Sequence, residues 1–349
     1  MLLGIDIGGT KVGVCVGDTA GNVVASRRFG TDHAQRPEEV LAKALGELQA
    51  LLRSTTSQYP DAKTQSGALR SPSLEAQSGA LRSPTLGVAV PGPYHAGRRA
   101  FLEPPNMPRW HGFELGAWLD KNSPWPSAAM NDANAAALAE HYWGAGVGFR
   151  NVVFFTMSTG MGAGFVLEGR LYEGTDGFAA EIGHLRLEAD GPVGFGRRGS
   201  VEGYLSGPGM AQVAAAERLA CRQTGEATAL AAIPEAELTS ARLCEAARAG
   251  DVAARRAVER IAGKLGLLMA MLTDLLNPQV FILGTIGSAY PDLFIPLATE
   301  VLRREAIGAS AAIVRVVPSG LKDLGNQQAL AVASDKERRS VGSEEQSAG

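Results

Sequence analysis

Residues 1–17 read MLLGIDIGGTKVGVCVG, the stretch from which the fold is first inferred. Two β-prone apolar runs, Leu2–Ile7 and Val12–Val16, flank the pair Gly8-Gly9, and a third run, Val23–Phe29, follows a turn. This pattern predicts a three-stranded meander whose first two strands are joined by a glycine turn. Because glycine has no Cβ, the backbone N–H groups of such a turn can approach a phosphate.

The second half of the chain repeats this design. An apolar strand, Val152–Met157, leads into the small-residue turn Ser158–Gly162, a second strand Ala163–Leu167 and the turn Glu168-Gly169. Neither glycine turn is a Walker loop, since no G-x-x-x-x-G-K-[ST] occurs in the sequence. Two phosphate turns about half a chain apart predict a nucleotide triphosphate bound across an interdomain cleft.

Chain length predicts two domains. The 349 residues, 45% of them hydrophobic, exceed what one core usually holds. We place an N-terminal α/β domain at residues 1–129 and a C-terminal α/β domain at 130–325. Residues 326–349 are predicted to form a terminal helix that packs back on the N-terminal domain, with a charged, Ser-rich tail from Asp335 that frays.

A short tandem copy interrupts the first domain. The sequence QSGALRSP at residues 65–72 recurs at 77–84. A copy this short cannot stack into a solenoid, which needs several longer units. We interpret residues 65–84 as an inserted surface loop with partial disorder.

Charge and cysteine usage limit the partners. The formal charge of −3 is spread along the chain, which favours a small-molecule partner over nucleic acid or an anionic membrane. No export signal and no apolar run of membrane-spanning length is present, so a cytoplasmic protein is expected. The scattered residues Cys15, Cys221 and Cys244 are typical of free thiols in a reducing compartment.

Two polar positions suggest catalysis. Asp6, at the end of the first strand, could hold a magnesium ion directly or through water, because Mg²⁺ prefers few carboxylates and several waters. Thr10 and Lys11 can add donors to the first turn. Asn131 and Asp132 begin an Ala-rich helix, where they could serve simply as N-caps. Asp132 could also accept a proton from a hydroxyl that attacks a γ-phosphate, and both roles can hold together.

Five motifs, in their order and spacing, resemble the ROK family of sugar kinases. They are Asp6–Lys11 (DIGGTK), Val90–Pro93 (VPGP), Asn131–Asn134 (NDAN), Ser158–Gly162 (STGMG) and Glu181–His184 (EIGH). The resemblance covers residue 2 to about residue 290, apart from the insert. It implies a two-domain actin-like ATPase fold of the ribonuclease H-like type with an interdomain cleft. It also implies a homodimer that uses ATP and Mg²⁺ to phosphorylate a hexose or N-acetylhexosamine.

The resemblance also implies roles for particular residues. Asp132 looks like the catalytic base. The expected sugar ligands are Asn106, Asn131, Glu181, His184 and Glu202. The expected ATP and phosphate-binding residues are Asp6, Gly8, Gly9, Thr10, Lys11, Ser158, Thr159, Gly160, Gly162 and Gly284, with Asp6 also the candidate Mg²⁺ ligand.

The chain departs from the family pattern in two places. ROK proteins usually follow the Glu-x-Gly-His element with C-x-C-G-x-x-G-C-x-E, whose thiolates and His hold a structural zinc. Here Val193, Phe195 and Ser200 stand in place of the cysteines, so we predict no zinc and a loop held by apolar packing of Val193 and Phe195. Near the nucleotide end, Gly284–Gly287 carries bulkier residues, and Lys322–Gln328 replaces a Gly/Ala-rich helix start.

Two alternatives stand beside the kinase. Some ROK proteins are sugar-responsive transcriptional regulators, which usually carry a helix-turn-helix ahead of the first phosphate motif. Because Asp6 lies six residues from the start and no basic helix is evident, we expect no DNA-binding function. The altered loop and nucleotide region also leave a catalytically decayed sugar-binding protein as an alternative.

Overall fold

The computed structural model describes residues 1–31, 35–58 and 83–347. The duplicated segment at 65–84, with its predicted partial disorder, lies outside the described residues apart from Ser83 and Pro84. The chain divides into two compact units. Unit 1 comprises Met1–Tyr142, Gly174–Phe178 and Leu321–Gly349, and unit 2 comprises Trp143–Glu173 and Ala179–Gly320.

The sheet of unit 1 begins with the predicted meander, which is confirmed. Strands β1 (Leu2–Ile7), β2 (Lys11–Gly17) and β3 (Val23–Gly30) pair antiparallel in sequence order. Strand β4 (Thr85–Val90) then pairs parallel with β1. A small hairpin of β5 (Tyr94–His95) and β6 (Ala100–Phe101) follows, and β7 (Ser127–Asn131) pairs parallel with β4. The resulting order in the described part of the chain is β3-β2-β1-β4-β7.

Among the described residues of unit 1, three helices precede the C-terminal one. They are α1 (Pro37–Gln58), α2 (Leu115–Asn122) and α3 (Asp132–Trp143). Helix α1 begins at the predicted Pro37, with acidic residues in its first turn that favour the positive end of the helix dipole. Its apolar face, spaced by three or four residues, is buried against the sheet. That face includes Val40, Leu41, Ala44 and Leu48.

Unit 2 contains a second sheet with the same topology. Its strands are β8 (Val152–Met157), β9 (Met161–Leu167), β10 (Arg170–Leu171), β13 (Val280–Thr285) and β14 (Arg315–Pro318), while β11 (Val193–Gly194) and β12 (Arg197–Arg198) form a separate hairpin. The order β10-β9-β8-β13-β14 again joins an antiparallel meander to two parallel strands. The predicted repetition of one design in both halves is therefore confirmed. Strand β9 starts two residues earlier than predicted, at Met161.

Helices fill the rest of unit 2. The longest, α7, lies at its centre and buries Ile261, Leu265 and Leu268 in the core. Side chains of Ser206, Thr239 and Asp251 cap the N-termini of α5, α6 and α7, each accepting a backbone N–H. The helices of unit 2 are α4 (Val201–Leu205), α5 (Gly207–Thr224), α6 (Ser240–Arg248), α7 (Val252–Leu276), α8 (Ile286–Ala289), α9 (Pro291–Glu305) and α10 (Gly308–Ile313).

The last helix, α11 (Leu324–Ser347), belongs to unit 1 and packs on its sheet at very short range. A Cβ added to Gly87 of β4 would lie 2.1 Å from the carbonyl oxygen of Ala329. The prediction of a tail that frays from Asp335 is wrong at its start. Asp335 lies inside α11, is 8% exposed and accepts a hydrogen bond of 2.9 Å from the hydroxyl of Tyr142.

The first unit extends further along the chain than residue 129. Strand β7 completes its sheet, and α3 follows directly and is tied to α11 through Tyr142. The boundary between the two compact units therefore lies after Tyr142, and the predicted boundary at residue 129 falls inside strand β7. Among the helices of the described residues, none has the length and apolar character that crossing a membrane requires.

We predict that Gly87→Ala strongly destabilises unit 1. The new methyl group would overlap the backbone of α11, with Ala329 O at 2.1 Å and Ala333 N at 2.4 Å. These backbone atoms of a packed helix cannot move aside as the end of a flexible side chain can. The free energy of unfolding should therefore fall by about 3 kcal/mol or more. Urea unfolding followed by circular dichroism measures it.

Gly46→Ala is the matched control. Gly46 lies on the exposed face of α1, and a Cβ there meets no atom within 4 Å. This substitution should stabilise by about 1 kcal/mol, because alanine is the better helix former. Equal unfolding midpoints for the two variants would contradict close packing of α11 on β4.

Candidate functional site

In unit 1, candidate residues gather at the carboxyl edge of the parallel strands. Asp6 of β1 is in register with Ala89 of β4, and Val90 of β4 is in register with Asn131 of β7. Since these strands run parallel, the side chains at their carboxyl ends share one edge of the sheet. Asp6, Asn131 and the turn after β1 therefore belong to a single cluster within unit 1.

The first glycine turn is held by a backbone hydrogen bond within the turn and by two hydrogen bonds from Thr31. The Gly8 N–H donates to the carbonyl of Lys11 over 2.9 Å, and the Thr31 N–H donates to the carbonyl of Thr10 over 3.0 Å. The Thr31 hydroxyl donates to the carbonyl of Gly8, also over 3.0 Å. A Cβ added to Gly9 would lie 3.5 Å from Cβ of Asn106, so this sugar-ligand candidate stands beside the turn.

Asp6 is buried and has a partner that the sequence analysis missed. Its Oδ1 accepts a hydrogen bond of 2.8 Å from Nε2 of Gln328 on α11. Burial raises the pKa of Asp6 to about 6, although Gln328, Lys11 and Arg28 oppose the shift. Gln328 lies within the segment that departs from the family pattern, and no local signal links it to a residue 322 positions away.

Asn131 and Asp132 start α3, as predicted. Oδ1 of Asn131 accepts hydrogen bonds from the N–H groups of Ala133 and Asn134, at 3.0 and 3.3 Å. Oδ1 of Asp132 accepts one from the Ala133 N–H at 2.8 Å. The capping interpretation of Asn131 is confirmed. These bonds also fix the backbone that carries Asp132, which is compatible with a catalytic role for its carboxylate.

In unit 2, the second glycine turn comprises Ser158–Gly160. The Ser158 N–H donates to the carbonyl of Gly160 over 2.9 Å, and the Gly207 N–H donates to the carbonyl of Ser158 over 2.7 Å. Thr159 is exposed at the tip. At the end of β13, Thr285 pairs with Met157, the residue just before the turn. Thr285 has φ 49° and ψ −113°, an outlier for a β-branched residue. Its hydroxyl bonds both the N–H and the carbonyl of Met157, which ties this strained residue to the turn.

Two glycines of the predicted phosphate set lie in strands instead of turns. Gly162 in β9 and Gly284 in β13 both pair with Thr156 of β8. A Cβ added to Gly284 would lie 2.6 Å from the ring of Phe154. The observed reason for glycine at position 284 is therefore close packing inside the sheet.

Glu202 connects the second turn with the sugar-ligand candidates of unit 2. Its Oε2 accepts a hydrogen bond of 3.2 Å from the Met161 N–H, and the backbone N–H of Phe195 also lowers the pKa of this carboxyl. A Cβ added to Gly160 would lie 3.0 Å from that same oxygen. Gly183, between Glu181 and His184, packs directly against Met161. A Cβ added to Gly183 would lie 2.5 Å from the carbonyl oxygen of Met161.

Electrostatics in this group are set by the two carboxyls. Burial raises the pKa of Glu181, and the nearby His184, whose Nε2 is 3.9 Å from Oε2 of Glu181, opposes the shift. Burial also raises the pKa of Glu202, and the charge of Glu181 adds to it. The carboxyl of Glu202 on α4 and the half-exposed side chains of Glu181 and His184 are suited to hydrogen bonding of hydroxyl groups.

The loop in place of the family's zinc element is not held as predicted. Val193 and Phe195 are 42% and 48% exposed, so the prediction of apolar packing between loop and core is wrong. Gln212 instead clasps the backbone of Val193, accepting its N–H at 2.8 Å and donating to its carbonyl at 2.9 Å. The Phe195 ring stacks on His184, with centroids 4.3 Å apart. Within residues 1–31, 35–58 and 83–347, no three His, Cys, Asp or Glu side chains form a metal-binding group.

Comparison with known proteins places these motifs in a family context. The model of the ROK family matches residues 72–331. A glucokinase of Streptomyces coelicolor is 28% identical over 340 residues, covering 97% of this chain and 98% of the relative. A xylose repressor of Caldicellulosiruptor bescii is 25% identical, covering 92% of this chain and 75% of its own length. The crystal structure of a ROK family glucokinase from Streptomyces griseus with glucose and AMPPNP is 26% identical and matches 95% of this chain and 97% of that one, with a TM-score of 0.71.

We predict that Asp6→Asn changes the pH dependence of stability. The pKa of Asp6 is raised in the folded state, so its contribution favours folding at pH below about 4 and is lost as the pH rises through about 6. Asparagine keeps the acceptor for Gln328 but cannot ionise. In metal-free buffer, the variant should therefore gain about 2–3 kcal/mol over the wild type between pH 4 and pH 8.

Asp18→Asn is the control of opposite sign. Burial is the largest single influence and raises the pKa of Asp18, but the hydrogen bonds from Asn22 and Ala20 together outweigh it, so the pKa is lowered below its ordinary value. This variant should lose stability relative to the wild type as the pH rises. Parallel stability curves for wild type and Asp6→Asn, measured by urea unfolding at each pH, would contradict the assigned burial of Asp6.

Proposed function

This chain belongs to the ROK family, and we propose that it is a sugar kinase that uses ATP and Mg²⁺ to phosphorylate a hydroxyl of a hexose or N-acetylhexosamine. One observation carries the proposal. Within unit 1, the backbone-fixed pair Asn131-Asp132 stands at the same sheet edge as Asp6 and the glycine turn after β1. A proton acceptor, a magnesium ligand and a phosphate-binding turn are the groups that phosphoryl transfer requires.

In the proposed reaction, Asp132 is the general base. Its carboxylate accepts the proton of a sugar hydroxyl while that oxygen forms a bond to the terminal phosphorus of ATP. The bond from that phosphorus to the bridging oxygen breaks, and ADP leaves. In the two glycine turns, Gly8–Lys11 and Ser158–Gly160, N–H groups other than those of Gly8 and Ser158, which bond within the turns, would hold phosphate oxygens.

Asp6 is the residue proposed to hold magnesium. Its carboxylate has the oxygen donors that Mg²⁺ prefers, and one or two carboxylates are enough for this ion. When bound, the ion would neutralise phosphate charge. The sugar would be held by Asn106, Asn131, Glu181, His184 and Glu202. A hydroxyl bound by such amide and carboxyl groups is selected, because a substrate lacking it leaves them unpaired.

Two relatives support the choice of chemistry. The Streptomyces griseus enzyme, whose structure matches this chain, is a glucokinase with glucose and an ATP analogue bound. The Streptomyces coelicolor relative, matched over nearly its full length, is also a glucokinase. We further propose a cytoplasmic homodimer, which light scattering and cell fractionation would test.

We predict that Asp132→Asn lowers kcat by about 10³-fold, since a positioned general base contributes about 10²–10⁴ in rate. A coupled ADP-release assay over glucose, N-acetylglucosamine, N-acetylmannosamine, allose and fructose first identifies the sugar. Asparagine preserves the Oδ1 acceptor at the start of α3, so sugar affinity should change little.

Asp120→Asn provides the control. Asp120 is an exposed carboxylate in the same unit, paired with Arg99, and its loss should leave kcat unchanged. The kinase proposal is rejected if no sugar of the panel is phosphorylated, and the assignment of Asp132 as the general base is rejected if Asp132→Asn retains the wild-type kcat.

A transcriptional regulator is the second candidate, favoured by the 25% identity to the xylose repressor. Gel-shift assays with genomic DNA fragments, with and without the panel sugars, test it. Sugar-sensitive binding to specific fragments together with absent kinase activity would replace the kinase proposal.

A further inference from the structure

The segment Val193–Glu202 does not fit the zinc that the family resemblance implies. The three positions expected to supply thiolates carry an isopropyl group, a phenyl ring and a hydroxyl. The hydroxyl of Ser200 is buried and already accepts the Gly203 N–H at 3.0 Å and donates to the carbonyl of Gly194 at 3.2 Å. One imidazole without thiolates cannot complete a tetrahedral zinc site.

Each of these three positions carries a different contact instead. The backbone of Val193 is clasped by both ends of the Gln212 amide. Ser200 caps α4 and bonds back to β11. Phe195 stacks on the fourth expected ligand, His184, with an interplanar angle of 20°. The contacts that hold the loop are thus spread over the same residues that would otherwise surround one metal ion.

Phe195 contacts one sugar-ligand candidate directly and influences a second. Its ring covers one face of the His184 imidazole, and its backbone N–H lowers the pKa of the Glu202 carboxyl. Phe195 also adopts φ 48°, a left-handed conformation that is costly for a bulky residue. The strained backbone is held by the β11–β12 hairpin on either side and by Arg197, whose guanidinium donates to the carbonyl of His184 at 3.3 Å.

The base of the loop has its own anchor. Glu188 accepts hydrogen bonds from the Tyr204 hydroxyl and from the Lys264 ammonium, which joins the loop to α4 and α7. The N–H groups of Leu187 and Glu188 both donate to the carbonyl of Gly199, closing the loop on itself. The hairpin therefore has a fixed base, and its tip at Phe195 lies against His184.

We propose that this hairpin replaces the metal, and that Phe195 is a positioning residue that orients His184 for sugar binding without zinc. The inference rests on the proposed function for its ligand. It goes beyond that function because it gives Phe195, whose side chain forms no hydrogen bonds, the role of orienting a residue of the sugar site.

Metal content gives the first test. Protein purified without a metal-affinity step should contain far less than one zinc per chain, and 1,10-phenanthroline should leave its thermal midpoint unchanged. One zinc per chain, released by the chelator with a drop in the midpoint, would overturn the proposal.

Sugar binding gives the second test, by calorimetry with glucose and N-acetylmannosamine. Phe195→Ala should weaken binding about 10-fold, as removal of an outer-shell support typically does, whereas Phe195→Tyr should stay within about threefold of wild type. Leu219→Ala is the control, because Leu219 is 54% exposed on α5 and should not affect binding. Equal affinities for Phe195→Ala and Leu219→Ala would overturn the positioning role.

A second variant and a spectroscopic readout separate positioning from folding. Gln212→Ala keeps the Phe195 side chain but releases the Val193 backbone, so the hairpin that places the ring is loosened and sugar binding should also weaken. In NMR spectra, the ring protons of His184, assigned with His184→Gln, should move downfield in Phe195→Ala as the phenyl ring current is lost. Unmoved His184 resonances would show that the stack does not exist in solution.

The metal, sugar-binding and NMR measurements distinguish failure of the inference from failure of the proposed function. If the wild type phosphorylates a sugar but Phe195→Ala binds it normally, the positioning role alone is rejected. If no sugar is bound or phosphorylated, the kinase proposal fails and the positioning role fails with it. The zinc and NMR measurements would then still decide whether the hairpin replaces the metal.

Discussion

Parallel pairing of strands is the constraint on which both units depend. When β4 and β7 join β1 in parallel, their carboxyl ends are forced to one edge of the sheet, and the turn between β1 and β2 leaves from that same edge. In unit 2, β13 pairs with β8 in the same sense, and the turn Ser158–Gly160 follows β8. Each glycine turn is thus placed beside the ends of buried strands, where polar side chains can emerge without disturbing the core.

In the candidate carboxyl groups, burial favours the neutral form and neighbouring groups favour the charged form. Asp6, Glu181 and Glu202 all have raised pKa values because burial disfavours their charged forms. In each case one neighbouring group lowers the pKa and so opposes this shift: Gln328 for Asp6, His184 for Glu181 and the Met161 N–H for Glu202. Groups held in this balance are typical of binding and catalytic sites, since surface carboxylates have no comparable cost.

The hairpin loop Val193–Glu202 illustrates how several small contacts can hold a surface loop. A metal ion concentrates loop anchoring at a single point. In this chain the anchoring is distributed over a glutamine clasp, a buried serine cap, an aromatic stack and an ion pair. Apolar residues in the loop led to the expectation of core packing, but a two-residue-per-strand hairpin at the surface has little core to reach. Its backbone groups, which must be hydrogen-bonded, determine its position instead.

The sequence by itself determined the strands of both meanders apart from the start of β9, the first glycine turn, helix α1 and the capped start of α3. These features follow from local periodicity, glycine pairs and capping residues, all of which are encoded within a few positions. Only the tertiary structure decided that Gln328 bonds Asp6, that Ala329 packs against Gly87, that Asp335 is covered by Tyr142 and that Phe195 stacks on His184. The first three join residues distant along the chain, and the fourth depends on a strained backbone at Phe195. Local sequence patterns carry no information about which distant backbone or side chain will occupy the remaining space.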